Sequence, residues 1–183
     1  MSTPAPPPPT PPADDKDWTW VLDRPCPECG LDVSGLTRAD IADRARAAFD
    51  VLLAALDEPG ATVRPQPDVW SALEYGAHVR DVCSVFGARL ALMRGRDDPL
   101  FANWDQDATA LQERYWEQQP DVVADELREE SQRLLAAIES VRDDEADRPG
   151  RRSNGSTFTV DTLLRYLLHD VVHHAHDVRH AHG

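Results

Sequence analysis

Leu164-Arg165-Tyr166-Leu167-Leu168-His169-Asp170-Val171-Val172-His173-His174-Ala175-His176-Asp177-Val178 is the stretch on which the fold turns. Leu164, Leu168, Val171, Ala175 and Val178 fall on one face of a helical wheel, so the stretch is a helix packing against other helices. Six of the seven histidines lie between His169 and His182, and His78 stands far upstream. His169 and His173 are four apart, one turn above each other, a spacing that lets two imidazoles reach one divalent ion. His176 and His180 continue that stripe. It points away from the apolar face, which suits a subunit interface, a groove mouth or plain exposure. Asp170 and His174 form a rival i,i+4 pair on the flank near Leu167. An open site on His169 and His173 needs a third donor from elsewhere, and His78 is the histidine left to supply it. Three imidazoles leave room for water or a substrate atom on zinc or nickel.

Outward from this helix, the pattern predicts three more long ones and a short one. Thr37 with Asp40 and Ser71 with Glu74 have the spacing of capping boxes. They predict a helix from Arg38 to Leu56, stopped at Asp57-Glu58-Pro59-Gly60, and another opening at Trp70-Ser71 and ending near Gly95. The core face of that second helix is Tyr75, Val79, Val82, Cys83, Phe86, Leu90 and Met93, with His78 at its edge. Leu100 to Asp107 reads as a loop whose two aromatics, Phe101 and Trp104, wall a pocket or plug the connection. A short helix spans about Ala108 to Gln118. Pro120, at the first helical position, starts a longer one to about Val141. Thr159 caps the last helix, Val160 to about Ala181. The fold class is all-α, a four-helix bundle with no strand, over residues 37–181.

The 183 residues suit one domain. Residues 1–17 are proline-rich and charged, which predicts a disordered, polyproline-like tail. A lead-in over residues 18–36 carries Trp18, Trp20 and Cys26-Pro27-Glu28-Cys29-Gly30. That C-x-x-C is half of a zinc-ribbon pattern. It suits a redox pair, a metal site completed by histidines, or a tight turn. Three cysteines in all argue against a disulfide framework. A net charge of −14 repels phosphate backbones and excludes a nucleic-acid partner from expectation. No apolar run is long enough for a membrane span, and no export signal opens the chain, so the expected location is the cytoplasm. No glycine-rich phosphate loop follows a strand, which leaves nucleotide binding without support.

Trp70-Ser71-Ala72-Leu73-Glu74-Tyr75-Gly76-Ala77-His78-Val79-Arg80-Asp81 resembles the second-helix motif of the DinB/YfiT-like metalloprotein superfamily. His169-Asp170-Val171-Val172-His173-His174-Ala175-His176 resembles its last-helix His-x-x-x-His signature. Asn103-Trp104-Asp105-Gln106-Asp107, with the arginine- and glycine-containing lead-in to the last helix, is similar to an actinobacterial branch. The resemblance covers about Arg38 to Val178. It implies a four-helix bundle, a homodimer, and a divalent metal, zinc or nickel, held by His78, His169 and His173. It also implies activation of a low-molecular-weight thiol, mycothiol or bacillithiol, for transfer to a small electrophile. Asp81 or Asp170 would then orient ligand imidazoles, and Arg80, Trp104 or Arg151 would contact substrate. His174, His176, Cys26 and Cys29 are the alternative metal ligands. The tail and the cysteine knuckle lie outside the family pattern.

Overall fold

Thr37 and Ser71 decide where the first two long helices begin. Each side chain accepts from the backbone N–H three residues on, and the acid there, Asp40 or Glu74, reaches back to the cap's own N–H. These reciprocal bonds satisfy donors that a helix start leaves open. In the computed structural model, which describes residues 8, 9, 11 and 17–181, the helices are α1 (Arg38–Leu56), α2 (Ala72–Gly95), α3 (Gln106–Gln112), α4 (Pro120–Glu139) and α5 (Val160–Ala181). The disorder expected of the tail concerns residues that mostly lie outside this description. Its described prolines border a groove with Arg64, Trp70 and Trp116, and Arg64 Nη1 donates to the Pro9 carbonyl at 2.6 Å.

The four long helices form the bundle. α1 packs on α4 and α5, and α2 packs on the same two. The consecutive helices α1 and α2 therefore sit across a diagonal, and the chain between them crosses the end of the bundle. The start of α2 makes room for the end of α1 at Gly76, where a Cβ would stand 2.8 Å from Leu56 Cδ1. α5 contributes Leu163, Leu164, Leu167, Leu168 and Val171, all at most 1% exposed. At about 1.5–3 kcal/mol for each buried side chain, that face alone anchors α5 and leaves its polar residues available for other work. No helix among the described residues is long and apolar enough to cross a membrane.

Two features depart from the sequence expectation. Three short strands form where none was expected: β1 (Leu100–Phe101), β2 (Pro149–Arg152) and β3 (Thr157–Thr159), in the order β1-β2-β3. β1 runs parallel to β2, and β2 antiparallel to β3. Gly155, at φ +98°, turns the hairpin. A Cβ at Gly150 would stand 2.6 Å from Met93 Cγ, so glycine lets β2 lie against the end of α2. A sequence of Pro, Gly and Arg has no alternating apolar pattern to announce such a strand.

The second departure concerns the histidine stripe. Its first half is covered: His169 is 4% and His173 9% exposed, while His176 is half-buried and His180 exposed. The lead-in lies over it, beginning with a 3₁₀ turn at Trp18–Leu22 that packs on α5. Val21, Leu31 and Val33 are buried there. Arg165 of α5 ties the segment down, donating to the Leu36 carbonyl at 2.9 Å and also to that of Val33.

Candidate metal centre

His78 is wholly buried on α2, and neither of its ring nitrogens has a hydrogen-bond partner among the described residues. A buried neutral imidazole carries one N–H and one lone pair, and leaving both unmet is costly. Its Nε2 faces Asp170 Oδ1 at 3.8 Å, and the same oxygen lies 3.5 Å from His174 Nε2. The His78 and His174 rings meet edge-on, 4.6 Å between centroids. These three residues bring one donor atom each to within 4.8 Å of one another.

Aromatic rings enclose the set. Trp104 stacks on His78 at 5.4 Å with 4° between planes, and Trp70 lies 5.3 Å from the same ring. Tyr75 lies 5.5 Å from His174. The cluster is sealed around His78 and reaches solvent at Asp170 and His174, whose side chains are 21% and 17% exposed. Burial lowers the His78 pKa, keeping the imidazole neutral. Burial alone would raise Asp170, but His78, His174 and His169 beside it outweigh this and hold its carboxyl below the usual range. Neutral imidazole and ionised carboxylate are the metal-binding forms. Two imidazoles and a carboxylate are also the donor set of catalytic zinc and of open iron sites.

A second cluster lies on the neighbouring face of α5. Cys26, Cys29, His169 and His173 bring one donor atom each to within 4.8 Å of one another. Cys26 Sγ is 3.7 Å from His173 Nδ1, across 147 positions of sequence. The knuckle is a tight turn: Gly30 N donates to the Cys26 carbonyl and Cys26 N to that of Leu31, each at 2.9 Å, with Gly30 at φ +72°. The other nitrogen of His173, Nε2, lies 3.3 Å from a carboxylate oxygen of Glu28, inside the knuckle. His169 Nε2 is buried without a hydrogen-bond partner among the described residues. Trp18 covers both rings, at 5.4 Å from His169 and 5.2 Å from His173. Burial, with His173 beside it, lowers His169 to a pKa of about 4, and burial pushes the Cys29 thiol up to about 11.

The histidine triad expected from the sequence is thus divided. His78 meets Asp170 and His174, while His169 and His173 meet the two cysteines. Asp170 belongs inside the first cluster rather than behind it. Trp104 reaches that cluster. Asp81 does not join it; it accepts from the Tyr115 hydroxyl and from Arg80. Arg80 also binds Gln118 and Glu126, so its charge is already matched. Arg151 pairs with Asp98 on the exposed side of the small sheet. His176 stacks on His180 at 3.9 Å. Sequence reasoning overlooked Glu28 and Arg89. Arg89, on the His78 face of α2 about three turns on, and Arg152 make no ion pair among the described residues. Arg89 lies against Phe86 and Phe101, and Arg152 against Phe158 and Tyr166. Burial and the nearby Arg152 lower the Arg89 pKa to about 10.

A four-helix bundle with a buried histidine–carboxylate cluster between its second and last long helices defines the class of protein. The chain belongs to the DinB superfamily, whose sequence profile matches residues 41–178. Its fold is similar to that of YfiT from Bacillus subtilis, described as a probable metal-dependent hydrolase with an unusual four-helix bundle topology. The two share 16% identity over 80% of this chain and 88% of YfiT, with a TM-score of 0.65. Comparison with curated proteins finds none that matches.

Proposed function

We propose that this chain is a metal-dependent enzyme acting on a small molecule, with its centre at His78, Asp170 and His174. The observation that carries the reading is the buried His78 ring, whose nitrogens have no hydrogen-bond partner among the described residues and whose Nε2 faces a carboxylate beside a second imidazole. A divalent ion, zinc or nickel, would occupy the space between these donors and bring the pKa of a bound thiol or water toward neutrality. Three protein ligands leave a coordination position open, the arrangement of catalytic rather than structural sites. His78, Asp170 and His174 hold the ion, while Trp104 and Trp70 keep water from the buried side. Arg89 and Arg152, in one aromatic setting with Tyr166 one turn before Asp170, would hold an anionic end of the substrate.

The reaction we assign is transfer of a low-molecular-weight thiol, mycothiol-like, to a small electrophile. The family resemblance supports this choice. Hydrolysis is the second reading. The carboxylate ligand favours it, since two histidines and a carboxylate serve zinc hydrolases, and YfiT carries a hydrolase description. The test is thiol consumption with a chloro-dinitro arene, run beside ester and amide hydrolysis, on zinc- and nickel-loaded protein. Metal-dependent thiol loss that disappears in His78→Ala and His174→Ala supports transfer. Hydrolysis alone would replace it with the second reading. Neither activity at full metal occupancy would overturn both.

A further inference from the structure

We propose that Cys26, Cys29, His169 and His173 form a closed zinc site, distinct from the open cluster, which clamps the lead-in onto α5. This goes beyond the proposed function and stands on separate residues.

The donor chemistry comes first. Two sulfurs and two imidazole nitrogens are a tetrahedral zinc set, and C-x-x-C is the spacing at which one turn presents two sulfurs to one ion. Zinc–sulfur bonds of about 2.3 Å and zinc–nitrogen bonds of about 2.0–2.1 Å place ligand atoms roughly 3.3–3.8 Å apart. The 3.7 Å between Cys26 Sγ and His173 Nδ1 has that length, and all four donors lie within 4.8 Å of one another.

The surroundings argue the same way. His173 turns one nitrogen to the sulfur and the other to Glu28, 3.3 Å away. A carboxylate behind a ligand histidine fixes its tautomer and raises its basicity. His169 keeps a buried nitrogen with no hydrogen-bond partner among the described residues, a cost that a metal bond would remove. Four protein donors beneath Trp18 leave no position for substrate, so this site is structural. On binding, the ion replaces the two thiol protons, which pass to solvent, and both sulfurs remain as thiolates. A Cys26–Cys29 disulfide would be the competing fate of the pair, and it would leave His169 and His173 without an ion.

The full-length chain is loaded with cobalt(II) in place of zinc. We expect two equivalents of metal, a near-ultraviolet thiolate-to-cobalt charge-transfer band and the strong visible bands of a tetrahedral ion. In Cys26→Ser/Cys29→Ser the charge-transfer band and one equivalent are lost. In His78→Ala the band persists and the other equivalent is lost. Should the double cysteine variant fail to fold, the wild type still decides. Zinc should block reaction of Cys26 and Cys29 with a disulfide reagent, and a chelator should restore it. A band present with His78→Ala losing no metal would support the clamp while removing the proposed catalytic centre. A fully loaded wild type without the charge-transfer band, or thiols equally reactive with and without zinc, would overturn the proposal.

Discussion

Replacing Glu74 by alanine should cost about 3–5 kcal/mol, the scale for breaking a buried ion pair. The Glu74 side chain is 2% exposed and that of its partner Arg64 13%. One carboxylate oxygen accepts from Ser71 N at 2.9 Å, Ser71 Oγ at 2.8 Å and Arg64 Nε at 2.8 Å, and the other accepts from Arg64 Nη2. Loss of the capping box alone accounts for about 1 kcal/mol. The larger share comes from Arg64, left with a desolvated charge. Its bonds to the Pro67 and Pro9 carbonyls survive and hold the cost near the lower end of the range. Against a usual total stability of about 5–15 kcal/mol, the change is large. At about 2–4 °C per kcal/mol for a domain of this size, the melting temperature should fall by about 6–20 °C. Urea unfolding followed by circular dichroism measures the loss. Arg64→Met/Glu74→Met should be less destabilised than Glu74→Ala, because no unpaired charge stays behind. A Glu74→Ala cost below about 0.5 kcal/mol, or a double variant that merely sums the singles, would refute the reasoning.

Asp170→Asn removes the anionic ligand yet keeps its shape, and elemental analysis should find the metal of the open cluster lost while α-helical content is unchanged. Trp104→Ala uncovers the ring stacked on His78 and should weaken metal affinity about tenfold, the lower end for groups supporting a ligand, in competition with a chromogenic chelator. Gly150→Val drives a side chain into Met93 and should destabilise by about 1–3 kcal/mol in denaturant titration. Arg94 holds the Glu145 carboxyl below its ordinary range, helped by the Arg142 backbone. A depressed carboxylate adds stability above its unfolded pKa and loses it as pH falls through the folded value. Glu145→Gln should therefore destabilise at pH 7, and the gap from wild type should close as pH falls through and below about 4.3, the ordinary glutamate value.

Helix starts were legible because their chemistry is local. Thr37 with Asp40, Ser71 with Glu74, and Pro120 each place a boundary within four residues of sequence. The strands were not legible, because β2 is held by its register with β1 and by Met93, both distant in sequence, and the adjacent β3 is only a short antiparallel partner across the turn. The donors were legible as types but not as sets. His169 with His173 and Asp170 with His174 have the same i,i+4 spacing, and spacing cannot say which pair meets His78. That choice depends on the rotation of α5 about its axis, fixed by Leu163, Leu164, Leu167 and Leu168 against the bundle. A polar stripe facing away from that core reads as surface until a distant segment is known to cover it. The contact between Cys26 and His173 supplies that cover.

Why one helix serves two clusters follows from its geometry. The two i,i+4 pairs on α5 are offset by one residue, about 100° of rotation, so they cannot face the same neighbour. One pair meets α2, a rigid element of the core, and gains His78 alone. The other meets a turn, whose C-x-x-C presents two sulfurs where α2 presents His78 alone. The number of protein donors thus follows from what lies opposite α5: one from α2 leaves a site open, two from the knuckle close it. The order of metal loss follows as well. A four-ligand site beneath Trp18 has no free position for an attacking chelator, whereas the three-ligand site reaches solvent at Asp170 and His174. A dipicolinate titration of doubly loaded protein should strip the open cluster first and release the lead-in to protease only at the second step. Simultaneous loss of both ions would show that the two clusters open together.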